Sequence, residues 1–212
     1  MALLVTGFEA FGGSAVNPAD ILVRRLAAAP PAGVFTLLLP VEYEQAAARL
    51  LAEVERIDPS AVLMFGLAGD TQYLRLERFG RNRCTSAAPD NAGIRRVGLD
   101  AVEDAPETLE TGFDLAALRD DLAPIVPGIV ISDDAGGYVC NDLYYRVLLG
   151  LSARRPTVPA LFVHVPWVHR PLTLEGYEET PAAAHERIGR AVVAAVEARL
   201  ASADADVDGV SA

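Results

Sequence analysis

Lysine is absent from this chain: all 18 basic residues are arginine, against 29 acidic ones, giving a net charge of −11. The arginines are scattered and never run longer than a pair. An acidic chain without a basic patch is a poor partner for nucleic acid or for an anionic membrane surface. The missing lysine, beside abundant alanine, reflects genome composition more than mechanism. Cysteine is nearly absent too. Two thiols are too few for a disulfide framework, and with no export signal in view they suit a reducing cytoplasm. Long apolar runs are also missing, and none approaches the roughly 18 residues of a membrane span. The opening "MALLVTGFEAFGG" has only about five apolar residues before a glycine turn and no basic leader, so it does not read as a signal peptide.

What is present is a globular composition. The 212 residues are 51% hydrophobic, enough for one α/β domain with a sizeable core over residues 1–200. Residues 201–212 are small and acidic and are expected to form a frayed tail. Strands are expected at 2–7, 34–41, 61–69, 128–132 and 159–166. Helices are expected at 17–29, 42–57, 115–122, 141–153 and 181–200, the first with Asn17 as N-cap and Pro18 at its first position. Residues 73–82 alternate, with Leu74 and Leu76 on one face and Arg75, Glu77 and Phe79 on the other. Residues 84–112 read as a long loop. Apolar strands alternating with helices imply a mainly parallel sheet covered on both faces. In such sheets the ligand crevice lies beyond the C-terminal strand ends. There the sequence places Phe8 and Phe11, then Cys140, then His164.

Cys140 lies where "SDDAGGYVCND" turns into a helix. Unpaired N–H groups and the helix dipole favour an anion there, hence the thiolate, and the same N–H groups suit an oxyanion. Gly136 and Gly137 permit a close approach of the chain to a ligand. The competing reading is an inert buried cysteine. His164 ends a buried strand, where a packing role is common. The helix after Cys140 leads into that strand, and a strand–helix–strand unit usually sets its two strand ends side by side. That would make Cys140 and His164 a nucleophile and its base. Glu77 reads either as a solvated or arginine-paired carboxylate or as the group that orients an imidazole. His185 reads as part of a surface helix, His169 as a loop residue and Cys84 as incidental. Asp133, Asp134 and Asp142 lack the companions of a zinc or calcium site, so no metal is expected. "GFEAFGG" lacks the marks of a phosphate or dinucleotide loop.

Five segments in order, "LLVTGFEAFGGSAVNP", "LLLPVEY", "GLAG…LERFGRN" with "PDNAG", "SDDAGGYVCN" and "FVHVP", resemble the pyroglutamyl peptidase type I family, cysteine peptidases also called pyrrolidone-carboxylate peptidases. The resemblance covers residues 1 to about 200. It implies a three-layer α/β/α sandwich around a mainly parallel mixed sheet. It implies a triad of Cys140, His164 and Glu77, removal of N-terminal pyroglutamate from peptides through a thioester, and no cofactor or metal. It also implies an oxyanion site from the backbone N–H groups of Cys140 and Ala87, and a homodimer or homotetramer. Phe8, Phe11, Asn17, Val139 and Ala88 are the expected walls of the slot for the pyrrolidone ring. The family commonly carries arginine where this chain has Thr71 and Ala87, and Asn and Ser at Asp133 and Asp134. Residues 99–113 also leave its pattern. Two carboxylates just ahead of Cys140 would oppose the helix dipole. Two alternatives stay open: a cysteine amidase of other specificity on this scaffold, and a small-molecule-binding or phosphorylase-like α/β protein without peptidase chemistry.

Overall fold

The structure is a computed structural model. It describes residues 1–126, 128–167, 172–174 and 177–209, and the side chains of all of these except 172–174, 177–179 and 203–209. The elements in chain order are β1 (Leu3–Phe8), α1 (Pro18–Ala28), β2 (Val34–Leu39), α2 (Gln45–Ile57), β3 (Ala61–Leu67), β4 (Leu74–Glu77), β5 (Phe79–Arg81), β6 (Thr108–Glu110), α3 (Leu115–Leu122), β7 (Ile129–Ser132), α4 (Val139–Arg154), β8 (Ala160–Val165), β9 (Leu172–Leu174), β10 (Tyr177–Glu179) and α5 (Pro181–Gly209).

Six strands form one sheet in the order β2-β1-β3-β8-β4-β7. β2, β1, β3 and β8 are mutually parallel, whereas β4 is antiparallel to β8 and carries β7 parallel to itself. Helices cover both faces, so the expected three-layer α/β/α sandwich with a mainly parallel mixed sheet is what forms.

Side chains alternate across a strand, and the sheet sorts them accordingly. Leu3 and Val5 of β1, Leu63 and Phe65 of β3, Leu74 and Leu76 of β4, and Leu161, Val163 and Val165 of β8 pack against α1, α3 and α5. Leu4 and Phe8, Val62 and Met64, and Ala160 and Phe162 point the other way, into a core shared with α2 and α4. α1 begins as its sequence dictates. Asn17 caps it by accepting the Ala19 N–H at 3.0 Å, and Pro18 occupies a first-turn position where no N–H is needed.

Several expectations need correction. Residues 73–82 are two strands and not one, with β4 in the main sheet and β5 paired to β6 in a small antiparallel ribbon. β6 itself falls inside the stretch read as loop. α5 runs through Gly209, beyond residue 200 where the helix was expected to end. His185 is 1% exposed and not on a surface. It shares the inward stripe of α5 with Ile188, Val192 and Val196, and its Nε2 lies 3.2 Å from the Pro166 carbonyl. His169 lies outside the described residues.

The crossover argument for Cys140 and His164 also fails. β7 and β8 are not neighbours: β4 lies between them, and β7 runs opposite to β8. The adjacency rule applies to parallel crossovers, and this connection is not one.

Candidate active site

The carboxyl ends of β1, β3 and β8 meet the amino end of β4 at one edge of the sheet, as their parallel and antiparallel pairings require. A cleft of about 600 Å³ opens there. Its lining includes Phe8 and Phe11 from the end of β1, Leu67 to Asp70 after β3, Arg75 from β4, and His164 from β8. It also includes Ala135 to Tyr138 and Cys140 from the turn and helix start that follow β7.

His164 is the hinge of the site. Its Nδ1 is 2.8 Å from Oε1 of Glu77, which is wholly buried. With Nδ1 occupied, Nε2 is left to serve the thiol of Cys140, which lines the same cleft. Glu77 and His164 share a sheet face because Glu77 stands opposite Phe162 in antiparallel register, two residues from His164. Neither nearby arginine takes Glu77, since Arg75 reaches Asp70 and Arg78 reaches Asp133. Burial by itself would favour a neutral imidazole. The hydrogen bonds from the ring to Cys140 and Glu77, and the negative charge of those groups, outweigh it and raise the His164 pKa from 6.5 to about 9. The ring is therefore predisposed to carry a proton at neutral pH. The Phe162 ring packs against it with centroids 4.8 Å apart.

What brings the thiol to the imidazole is the turn after β7. Gly136 takes φ +88°, a left-handed conformation suited to glycine. Gly137 carries no side chain because a Cβ there would fall 1.8 Å from Thr85 Oγ1. The Gly137 carbonyl accepts the N–H groups of Thr85 and Ser86 at 2.9 and 3.0 Å. The two glycines thus serve a loop-to-turn junction first. Beneath the sulfur, Gly66 stands in register with His164, and a Cβ on it would meet Phe162 at 2.6 Å and Cys140 Sγ at 3.1 Å. The missing side chain of Gly66 is the space the thiol uses.

Cys140 is the second residue of α4, whose N-cap, Tyr138, makes no side-chain capping bond. The first-turn N–H groups accordingly point toward the cleft end of the helix without an intrahelical acceptor. Asn141, next in line, anchors the helix start. Its Oδ1 accepts the Arg81 N–H at 2.9 Å and its Nδ2 donates to the carbonyls of Arg81 and Arg83 at 2.8 and 2.9 Å. Tyr144 donates its hydroxyl to the Glu77 carbonyl at 2.9 Å, tying the nucleophile's helix to the strand that bears the carboxylate.

The extra carboxylates ahead of Cys140 have partners. Asp133 pairs with Arg78 at 3.4 Å, and Asp134 pairs with Arg83 at 2.8 Å while accepting the Gly136 N–H at 3.0 Å. Each guanidinium offsets the field its carboxylate exerts at the turn, and Asp134 helps close that turn. Asp142 is buried, which raises its pKa despite the opposing Arg146 charge, and it accepts the Glu44 N–H at 3.0 Å. Among the described residues no three His, Cys, Asp or Glu side chains are grouped to hold a metal.

The expected ring slot is partly revised. Phe8, Phe11 and Asn17 line the cleft. The Asn17 amide is already occupied at both ends, by the Ala19 N–H and by the Glu9 carbonyl at 2.9 Å, so it shapes the wall. Val139 is not a wall. It is fully buried in the core beneath α2 and α4, because the residue beside Cys140 on a helix points in a different direction. Ala87 and Ala88 are exposed and absent from the lining. The Gly137 carbonyl holds this loop at Thr85 and Ser86, and the Ala87 carbonyl is bonded to Arg95. Tyr138 was missed. It lines the cleft, packs its ring 6.1 Å from that of Phe11, and donates its hydroxyl to the Pro89 carbonyl at 2.8 Å. An aromatic two residues before the cysteine was the available signal.

A thiol, an imidazole and a carboxylate in series, beside helix-start N–H groups and an apolar slot, on an α/β sandwich, equip a protein for acyl transfer by a cysteine hydrolase. The comparisons with known proteins narrow that class. The family model described as pyroglutamyl peptidase matches residues 1–202. A pyrrolidone-carboxylate peptidase of Bacillus amyloliquefaciens is 29% identical over 210 residues, covering 98% of this chain and 96% of the relative. One of Lactobacillus johnsonii is 31% identical, covering 93% of this chain and 98% of the relative. The solved pyrrolidone carboxyl peptidase of Thermococcus litoralis superposes with a TM-score of 0.81 at 27% identity, covering 97% of this chain and 96% of that one. The chain belongs to the pyroglutamyl peptidase family.

Proposed function

We propose that this protein is a cysteine peptidase that removes an N-terminal pyroglutamyl residue from peptides, with Cys140, His164 and Glu77 as its triad. The observation that carries the reading is His164, bonded through Nδ1 to a buried carboxylate and lining the same cleft as the helix-start thiol of Cys140. The Cys140 sulfur, its proton held by His164, attacks the carbonyl joining pyroglutamate to the next residue. The Cys140 N–H stabilises the oxyanion. Collapse of the tetrahedral intermediate breaks the C–N bond, and His164 returns the proton to the departing amine. Water, deprotonated by His164, then adds to the thioester, and breakdown releases pyroglutamate and the thiol. Glu77 fixes the ring's tautomer and supports its charge.

The pyrrolidone ring is small, flat and neutral and suits the slot between Phe8, Phe11 and Tyr138. A free N-terminal ammonium would have to be desolvated there, which disfavours ordinary peptides. Cys84 takes no part. It is buried, and that burial pushes its thiol up to about 11. Action in the reducing cytoplasm and assembly as a homodimer or homotetramer belong to the same proposal. Both cysteines are free, and among the described residues no helix is long and apolar enough to cross a membrane. Light scattering reports the assembly state.

The decisive experiment is hydrolysis of a fluorogenic pyroglutamyl amide by the native chain and by Cys140→Ala. Turnover by the former and none by the latter is expected. Absence of turnover while a thiol probe still labels Cys140 selectively would point to an amidase of other specificity. Retained turnover in Cys140→Ala would remove the thiol mechanism altogether.

A further inference from the structure

Arg75 is the one arginine among the described residues that line the cleft. It stands directly opposite His164 in antiparallel register, on the face that also carries Glu77. Directly opposed side chains in such a pair start about 5 Å apart, so Arg75 and the catalytic imidazole leave the sheet side by side and line the same cleft. Its neighbours along the chain are differently engaged. Arg78 pairs with Asp133, Arg81 donates to the Asp133 carbonyl, and Arg83 holds Asp134 through both carboxylate oxygens. Arg75 makes one hydrogen bond among the described residues, from Nη2 to Asp70 at 3.3 Å, and the Asp70 side chain is 76% exposed. A guanidinium offers five N–H donors in a planar fork, so most of this one's capacity remains available at the cleft.

We infer that Arg75 is a specificity residue that binds a carboxylate on the leaving side of the substrate, and that the carboxylate is the free C-terminus of a pyroglutamyl dipeptide. The inference rests on the peptidase reading above and deepens it. His164 delivers its proton to the departing amine, so the residue that leaves lies on the imidazole side of the sulfur. In a pyroglutamyl dipeptide its α-carboxylate is two bonds from that nitrogen, on the side of the cleft lined by His164 and Arg75. The planar guanidinium fork matches a carboxylate through two parallel hydrogen bonds. Asp70, the present partner, is exposed and loses little when it yields the contact to water. A longer peptide carries an amide in place of the α-carboxylate and has nothing there for the fork to bind, unless its second residue is acidic.

The test compares kcat/KM for pyroglutamyl-alanine, pyroglutamyl-alanine amide and the α-amide of pyroglutamyl-aspartate, with the native chain, Arg75→Gln and Arg75→Lys. The native chain is expected to favour the free acid over the alanine amide by about tenfold, the scale of one charge-assisted hydrogen bond. Arg75→Gln is expected to collapse that ratio through KM, and Arg75→Lys to keep part of it. A native ratio near one overturns the inference without any variant, and so does a ratio that survives Arg75→Gln. If the aspartyl α-amide matches the free acid, the fork reads an acidic side chain and the C-terminal assignment falls. Cleavage of none of the three by the native chain defeats the peptidase reading and this inference with it. Equal cleavage of the free acid and the alanine amide defeats the inference alone.

Discussion

The two faces of the central sheet are built to different rules. The face beneath α1, α3 and α5 is lined by Leu3, Val5, Leu63, Phe65, Leu161, Val163 and their neighbours, apolar side chains that fill space and have no polar group to orient. The face beneath α2 and α4 carries Phe8, Phe162, Glu77 and His164, and α4 adds Tyr144, Asn141 and Asp142 above it. Each of those polar groups has a bonded partner, and several bonds join separate elements: Glu77 to His164, Asn141 to Arg81, Asp142 to Glu44, Tyr144 to Glu77. Apolar packing tolerates small displacements, whereas a buried hydrogen bond fails when its partner moves by an ångström. One face therefore supplies stability, and the other holds geometry at some risk to stability.

The largest effect expected from disturbing the second face is chemical. Cys140→Ala should lower kcat by more than about 10⁴-fold, with the melting temperature and circular dichroism retained. A folded variant with a modest loss would show that the two faces are less distinct than proposed.

Gly66→Ala and Gly189→Ala form a matched pair across the sheet. A Cβ at Gly66 would meet Phe162 at 2.6 Å and the Cys140 sulfur at 3.1 Å, while one at Gly189 would meet Leu22 at 2.6 Å, between α5 and α1. Each should destabilise by roughly 1–3 kcal/mol through crowding. Only Gly66→Ala should also lower kcat, by about 10²-fold, because it displaces the nucleophile and the ring that packs on the base. Thermal melts run beside kinetics separate the two outcomes. Equal kinetic losses would erase the contrast.

Glu77→Gln should reduce kcat by one or two orders of magnitude less than Cys140→Ala, since the carboxylate orients and does not react. It should also move the alkaline limb of kcat/KM to lower pH. That limb is expected near pH 9 in the native chain, where the imidazolium needed by the leaving amine is lost, and Glu77 is one of the groups that raise it. An unmoved limb would detach Glu77 from His164.

The smallest expected effect is on stability against pH. The folded pKa of His164, about 9, lies above the ordinary 6.5. Its protonation therefore stabilises the fold fully below pH 6.5, and that contribution is lost as the pH rises through about 9. The melting temperature of the native chain should fall across this window more steeply than that of His164→Ala. Parallel profiles would contradict the ring's raised pKa.

Much of this was legible in advance, and where it was not, the reason is physical. The alternation of Leu74 and Leu76 against Arg75 and Glu77 gave the faces of β4 correctly, because side-chain direction in a strand follows from local geometry. The cap at Asn17 and the limits of α3 were equally local. The break between β4 and β5, the partner of β7 and the position of Val139 were not, since each depends on which distant segment a backbone bonds to or packs against.

By itself, the sequence determined that a cysteine starts a helix after two glycines, that a histidine ends a buried strand, and that the chain has the apolar content for a two-faced sheet. Only the tertiary structure decided that β4 inserts between β7 and β8, which puts Glu77 rather than a solvent-facing arginine partner beside His164, and that Gly66 leaves room for the sulfur. Local preferences set the direction in which a side chain leaves its own backbone. Which other side chain it meets there depends on strand pairing between residues far apart in the chain, and that pairing is settled by the burial of the whole sheet.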